Sequence, residues 1–246
     1  MRLGLFSVFG PGLLVVLLFG MGGLPAFGRY ANPYGLLVDR IEPPLRHATD
    51  IVTALNFDIR AYDTLGEEFI LFGSVAGVAL LLRHVRGSAP TVSDPGAEHA
   101  FAGASPSLQL ASLILVPLLV ALGCYVVVHG TLTPGGGFQG GVVLAVGPIG
   151  VVLAGRYLAI KRLAPEWLLE ALESVGGAGY ALIGIAGLIF AGVFLKNFLP
   201  YGEAGKLLSG GMMPLNSIAV GLEVTGAFLL TWTEFLDQAL LVERDS

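Results

Sequence analysis

The chain has 246 residues, of which 54% are hydrophobic and only 13% charged, with a mean hydropathy of +0.80; these values exclude an ordinary soluble domain and point to an all-α, polytopic membrane protein. The net charge of -5 comes from 18 acids and 13 bases spread along the chain, so there is no basic stripe to neutralise phosphates and nucleic acid is not an expected partner. A single cysteine, Cys124, cannot close an intrachain disulfide, and the four histidines, His47, His84, His99 and His129, lack the i, i+4 spacing of a metal or haem pair on a helix, so no metal and no cofactor is expected.

A membrane span needs about 20 apolar helical residues to cross roughly 30 Å of hydrocarbon. In chain order the candidates are Leu3 to Leu24, uncharged; Leu65 to Leu82, with Glu67 and Glu68 at its start; and Leu108 to Val128, containing Pro117. They continue with Gly140 to Tyr157, clean until Arg156; Val175 to Leu195, uncharged; and Pro214 to Trp232, with Glu223 near its middle. About six transmembrane helices are therefore expected. The first resembles a signal peptide in its Arg2 and Leu24-Pro25-Ala26, but its apolar core is too long, which favours a retained helix.

Between the second and third stretches, RGSAPTVSDPGAEHAFAGASPS is small, polar and interrupted by Pro90, Pro95 and Pro106. It reads as a linker over residues 87–107, joining a two-helix module (1–86) to a four-helix module (108–246). Two further segments suggest short interfacial helices. Thr49 to Leu55 is apolar at Ile51, Val52 and Leu55, ahead of the polar run Asn56 to Asp63. From Pro165, a surface helix is predicted with Glu166, Glu170 and Glu173 on one face and Leu168, Leu169, Leu172 and Val175 on the other. Lys and Arg divide seven against six between the two sides with the N-terminus inside, but six against two over the last four helices, which favours both termini inside.

The 36 glycines follow neither a collagen period nor a linker composition. Some lie at close-packing spacing: Gly73 and Gly77, and the stripe Gly177, Ala181, Gly184, Gly187 and Ala191. The densest run is Thr133-Pro134-Gly135-Gly136-Gly137-Phe138-Gln139-Gly140-Gly141. Gly135, Gly137 and Gly140 formally satisfy G-x-G-x-x-G, but an apolar helix precedes them and no acid occurs between Phe101 and Pro165, so a dinucleotide loop is excluded. Such a run is either a tight turn that packs or a backbone-lined part of an ion or water path beside His129.

Ionisable residues within spans are functional candidates, because burying charge in hydrocarbon is costly. Glu223, with Asn216, Ser217 and Thr225 on its span, is the most deeply placed acid, with a buried structural partner as its plain alternative. Glu67 and Glu68 follow Asp63-Thr64-Leu65-Gly66 at the mouth of the second span, one suited to receive a proton or cation and the other to face headgroups. No span strings Lys, His and Glu through the bilayer centre as a self-sufficient proton channel would, and no inverted pair of broken helices marks a complete transporter. The chain reads as one subunit of a larger assembly.

Two motifs carry a resemblance. His129-Gly130-x-x-Thr133-Pro134-Gly135-Gly136-Gly137-Phe138-Gln139-Gly140-Gly141, between two apolar helices, resembles the signature of the B subunit (MnhB/MrpB family) of Mrp-type multi-subunit cation/proton antiporters, over residues 108–240. Val52-Thr53-Ala54 and Phe57-Asp58-x-Arg60-x-Tyr62-Asp63-Thr64-Leu65-Gly66-Glu67 are similar to the end of the large A subunit of those antiporters, an element that membrane-bound hydrogenases carry as a small separate E subunit. The resemblance implies a non-enzymatic, multi-pass protein of a prokaryotic cell membrane that works with other antiporter subunits in exchanging Na+ for H+ in pH and salt homeostasis. It implies that Glu67, with Asp63 and Thr64, belongs to the ion path and that Thr133 to Gly141 shape it; Glu68, Glu223 and His129 are candidates that the motifs do not anchor. A membrane subunit of an ion-pumping hydrogenase or related respiratory complex is the competing expectation.

Overall fold

In lipid, backbone amides and carbonyls have no partners but one another, so an apolar chain of this kind must be helical. The computed structural model describes residues 2–24, 33–86, 104–154, 161–162 and 164–245. Among them, regular structure consists of eight α-helices and one π-helical turn, with no strand. Outside the described residues lie 87–103, which form most of the expected linker and include His99, together with Pro25, Ala26, Arg29, Arg156 and Tyr157.

The chain divides into two compact units, Met1–Leu37 and Val38–Ser246. The first is built on α1 (Arg2–Gly22), a helix that contains Pro11 and exposes its large apolar side chains from Leu13 to Phe19, as a helix facing lipid would. Helix α2 (Tyr34–Arg46) begins in this unit and ends in the second.

The second unit continues with α3 (Ile51–Ala54), whose N-cap Asp50 accepts from the Thr53 amide; this is the short-range capping bond that starts a helix. It runs on without a break into the π turn Leu55–Ile59, so the polar stretch after Leu55 is helical too. Then come α4 (Ala61–Arg86), α5 (Pro106–Val128), α6 (Gly137–Leu153), α7 (Glu166–Ala191) and α8 (Met213–Asp245). Four helices are long and apolar enough to cross a membrane, namely α4, α5, α7 and α8, while α6 and part of α1 are shorter apolar helices. Together they account for the six apolar stretches of the sequence.

Helix α8 is the centre of this unit: 67% of its apolar window is buried, against 22% for α7, 17% for α5 and 11% for α4. It packs against α7, α6 and α4, and α5 packs against α6. Small residues make this possible. A Cβ on Gly176 of α7 would lie 2.3 Å from the Glu223 amide nitrogen, and one on Gly226 of α8 would lie 2.6 Å from that of Glu173; these two helices touch backbone to backbone, with glycine on both sides.

The surface helix predicted from Pro165 is instead the first part of the 26-residue α7. Leu169 and Glu173 are both buried, while Trp167 and Val175 are exposed, so the division into an acidic and an apolar face does not hold there. The physical reason is α8: it covers the face that carries Glu173, which at i+3, i+4, i+7, i+11 and i+14 continues into Gly176, Gly177, Tyr180, Gly184 and Gly187.

Candidate functional site

The corner formed by α3, the π turn and the start of α4 is held on the other helices by specific polar contacts. The amides of Thr49 and Asp50 both donate to the Thr131 carbonyl, at 2.9 and 3.1 Å. Tyr180 on α7 donates its hydroxyl to the Ala61 carbonyl at 2.9 Å, and Asn216 on α8 donates to the Phe57 carbonyl at 3.4 Å. Thr64 donates to the Asn56 carbonyl at 2.7 Å, closing the step from π turn to α4. These bonds fix the register of α4 against α7 and α8, and so decide which of its acids face inward.

Glu68 faces inward. It is 3% exposed, and Glu223 on α8 is 1% exposed. Glu68 Oε2 and both carboxyl oxygens of Glu223 have no hydrogen-bond partner among the described residues. Both acids line a cavity of about 230 Å³ whose wall is otherwise apolar or small, including Phe69, Phe72, Ser174 and Gly177, with no Lys, Arg or His in its lining. Gly177 makes room for the carboxyl: a Cβ there would stand 2.9 Å from Glu223 Oε2.

A second cavity, of about 250 Å³, adjoins the first and shares Phe72 and Ser174 with it. It is lined by Glu170, Glu173 and Glu234. Glu173 is 6% exposed, and its Oε1 has no hydrogen-bond partner among the described residues.

The other candidates lie elsewhere. Glu67, next to Glu68 on α4, is exposed, and Asp63 is paired with Arg60 at the surface. His129 caps α5, where its ring stacks on Tyr125 with centroids 4.6 Å apart and its Nδ1 lies 2.9 Å from Thr133 Oγ1; it lines neither of the two acidic cavities.

The glycine-rich run forms the junction of α5, α6 and α8. Gly136, at φ +119°, adopts a backbone that only glycine takes easily, and its amide donates to the Val126 carbonyl at 3.1 Å. Gly137 and Gly141 face α8, where a Cβ would come within 2.2 Å of the Ser217 carbonyl oxygen and 2.8 Å of Val224 Cβ. Gly140 faces α5, with the Gly123 carbonyl oxygen 2.8 Å from the same added atom. Pro134, Phe138 and Gln139 are exposed, and Phe138 meets Phe228 edge-on at 6.3 Å.

Outside the candidate spans, Arg46 pairs with Glu42 and Asp58 and lies 5.5 Å from the centre of the Tyr201 ring. Burial pushes the Glu42 carboxyl above its ordinary range; Arg46 pulls it back and Asp58 adds to the rise. Glu42, Asp50 and Glu173 are the buried acids among the described residues that the sequence reading missed. For Glu173 the signal was present, since it sits in register with the glycine stripe of its helix.

With this geometry in place, the comparisons are informative. Residues 107–230 match a family model described as a domain related to the MnhB subunit of Na+/H+ antiporter. The chain belongs to this MnhB-related family. An uncharacterized protein of Methanocaldococcus jannaschii is 34% identical over 205 residues, which cover 73% of this chain and 76% of that one. Among solved structures, a chain of the membrane-bound sulfane sulfur reductase, an archaeal respiratory membrane complex, is similar with a TM-score of 0.67 and 27% identity, over 96% of this chain and 99% of that one. A chain of the Mrp complex from Dietzia sp. DQ12-45-1b shares the fold, with a TM-score of 0.68 and 23% identity over 95% of this chain. The MnhB-related protein spans only 26% of that longer chain. Family and apolar helices together make it a multi-pass membrane protein.

Proposed function

We propose that this chain is a non-catalytic membrane subunit of a multi-subunit cation/proton antiporter complex, and that it supplies part of the path along which Na+ or H+ crosses a prokaryotic cell membrane in pH and salt homeostasis. The observation that carries this reading is the pair Glu68 and Glu223, two buried carboxyls from different helices meeting in one cavity with no cation in its wall. An acid pair placed in this way costs several kcal/mol when ionised without a partner, so it is poorly suited to holding helices together and well suited to taking up and releasing a proton or a small cation.

In this reading Glu67 and Asp63 stand at the outward face of the same corner, where another subunit supplies the facing wall, while the buried Thr64 holds the turn behind them. Residues Thr133 to Gly141, beside His129, set the spacing of α5, α6 and α8, and so the position of Glu223.

The test is cation-driven proton movement in membrane vesicles carrying the assembled complex. Glu68→Gln should lower the exchange rate at least tenfold with assembly intact, and Glu67→Gln should lower it less. Full exchange by Glu68→Gln and by Glu223→Gln would turn the chain into a scaffold.

A second reading is favoured by the near end-to-end likeness to a chain of a respiratory membrane complex, namely that the host couples electron transfer to ion pumping. Purification of the tagged chain from its native membranes separates the two. Companions carrying iron–sulfur centres would support the respiratory host, and their absence from an intact complex would support the antiporter.

A further inference from the structure

We propose that Glu173 is a proton-transfer residue that connects the Glu68 and Glu223 pair to Glu170 and Glu234 at the other end of the α4, α7 and α8 bundle. The inference rests on the ion-path reading above and gives that path a direction and a cargo.

Three observations place Glu173 in line. Its carboxyl oxygen is buried without a hydrogen-bond partner among the described residues, and its side chain lines a cavity that shares Phe72 and Ser174 with the one holding Glu68 and Glu223. Its backbone lies against Gly226, three residues beyond Glu223 on α8, a rise of about 4.5 Å along the helix. The second cavity then reaches Glu170 on α7 and Glu234 on α8. Glu234 is eleven residues beyond Glu223, about 16 Å along α8, roughly half the hydrocarbon thickness of a membrane.

The acids are strung out along the helices rather than gathered. Among the described residues no group of three or more His, Cys, Asp or Glu is arranged to hold a metal ion, which suits a proton handed on better than a cation held. The step is balanced at each stage: the O–H of a protonated carboxyl passes its proton to the neighbouring carboxylate, directly or through one water in the cavity, and the donor becomes the carboxylate that accepts the next proton. The ionisable groups around this line are Glu67 and Glu68 from α4, Glu170, Glu173 and Tyr180 from α7, and Glu223 and Glu234 from α8; Lys161 pairs with Asp237 at the far end, at 2.6 Å. Ser174, in the wall of both cavities, can hold a bridging water.

The experiment uses the assembled complex in sealed vesicles, with proton flux followed by a pH-sensitive dye. Glu173→Gln is expected to lower cation-driven proton flux at least tenfold while the complex stays assembled. Glu173→Ala should be equally slow and should recover several-fold in formate or azide, small weak acids that carry a proton across the gap. A merely structural role would not be rescued in this way. Normal flux in Glu173→Gln, or an assembled Glu173→Ala complex that no weak acid rescues, overturns the proposal. If neither variant assembles, the wild-type complex decides: a hydrophobic carbodiimide, which modifies protonated carboxyls reached from the apolar phase, should label the peptide carrying Glu173, and absence of that label overturns it. Normal flux in Glu173→Gln beside a slow Glu68→Gln removes the relay and leaves the buried pair standing. Normal flux in Glu68→Gln and Glu223→Gln as well removes the ion-path reading itself.

Discussion

The two sides of α8 use glycine for opposite purposes. Toward α6, Gly137 and Gly141 remove side chains so that two backbones meet, and neither glycine lines the acidic cavities. Toward α7, Gly176 and Gly226 again bring backbones together, but Gly177, one residue along, leaves its space to the Glu223 carboxyl and lines a cavity. Close helix contact therefore does not by itself mark a functional surface. What distinguishes the α7 side is that the space released by a glycine is occupied by a buried acid whose carboxyl oxygens have no hydrogen-bond partner among the described residues.

The largest effect expected from this contrast is on the tight side. Gly137→Leu must place its Cβ where the Ser217 carbonyl oxygen stands, 2.2 Å away, and backbone cannot move aside as a side-chain tip can. Overpacking of this kind costs about 3 kcal/mol, and the protein should fail to appear as a monodisperse species in detergent. A well-behaved Gly137→Leu protein would mean that α6 and α8 are not locked together. The next effect is on the open side. Gly177→Ala adds one methyl 2.9 Å from Glu223 Oε2, and because a carboxyl can rotate away, stability should change by less than about 1 kcal/mol while ion exchange falls several-fold. Gly73→Ala on α4, where no atom lies within 4 Å of the added Cβ, is the matched control: it should leave exchange unchanged and gain up to about 1 kcal/mol of helix stability. Equal exchange in Gly177→Ala and Gly73→Ala would remove the distinction between the two uses.

Much of this architecture was legible in the sequence, because length and hydropathy decide which segments can cross a membrane; the structure has an apolar helix within each of the six stretches, four of them long enough to be candidate spans. The acidic site was legible only in part. Glu223 stood out as a charge in mid-span, but Glu67 and Glu68 are neighbours on a helix whose apolar residues surround it, so the sequence does not say which of them turns inward. That choice is made by distant bonds, from Tyr180 to Ala61 and from Asn216 to Phe57, which set the rotation of α4. Glu173 was hidden for another reason. Its helix begins with Glu166, Glu170 and Glu173 at a spacing that mimics a water-facing stripe, and only the following Gly176 and Gly177 show that the last of the three has passed onto the buried face.

The smallest expected effect compares the buried acids with one outside the candidate spans that does have a cation. Glu42 is buried against Arg46, and burial raises its carboxyl above the ordinary value of 4.5, with Arg46 opposing the rise. A carboxyl raised on folding is one whose neutral form the fold prefers. Its contribution to stability is therefore complete below pH 4.5 and is lost as the pH climbs through the raised value. Glu42→Gln fixes the neutral form and removes this dependence. Thermal unfolding of the purified protein in detergent should then show wild type and Glu42→Gln closest at acid pH, with the variant gaining on wild type as the pH rises toward neutral. Parallel curves would mean that Arg46 fully compensates the buried charge, making Glu42 an ordinary ion pair; a widening gap would show that even an acid with a cation beside it feels the cost of burial, which the unpaired acids of the cavity must feel more.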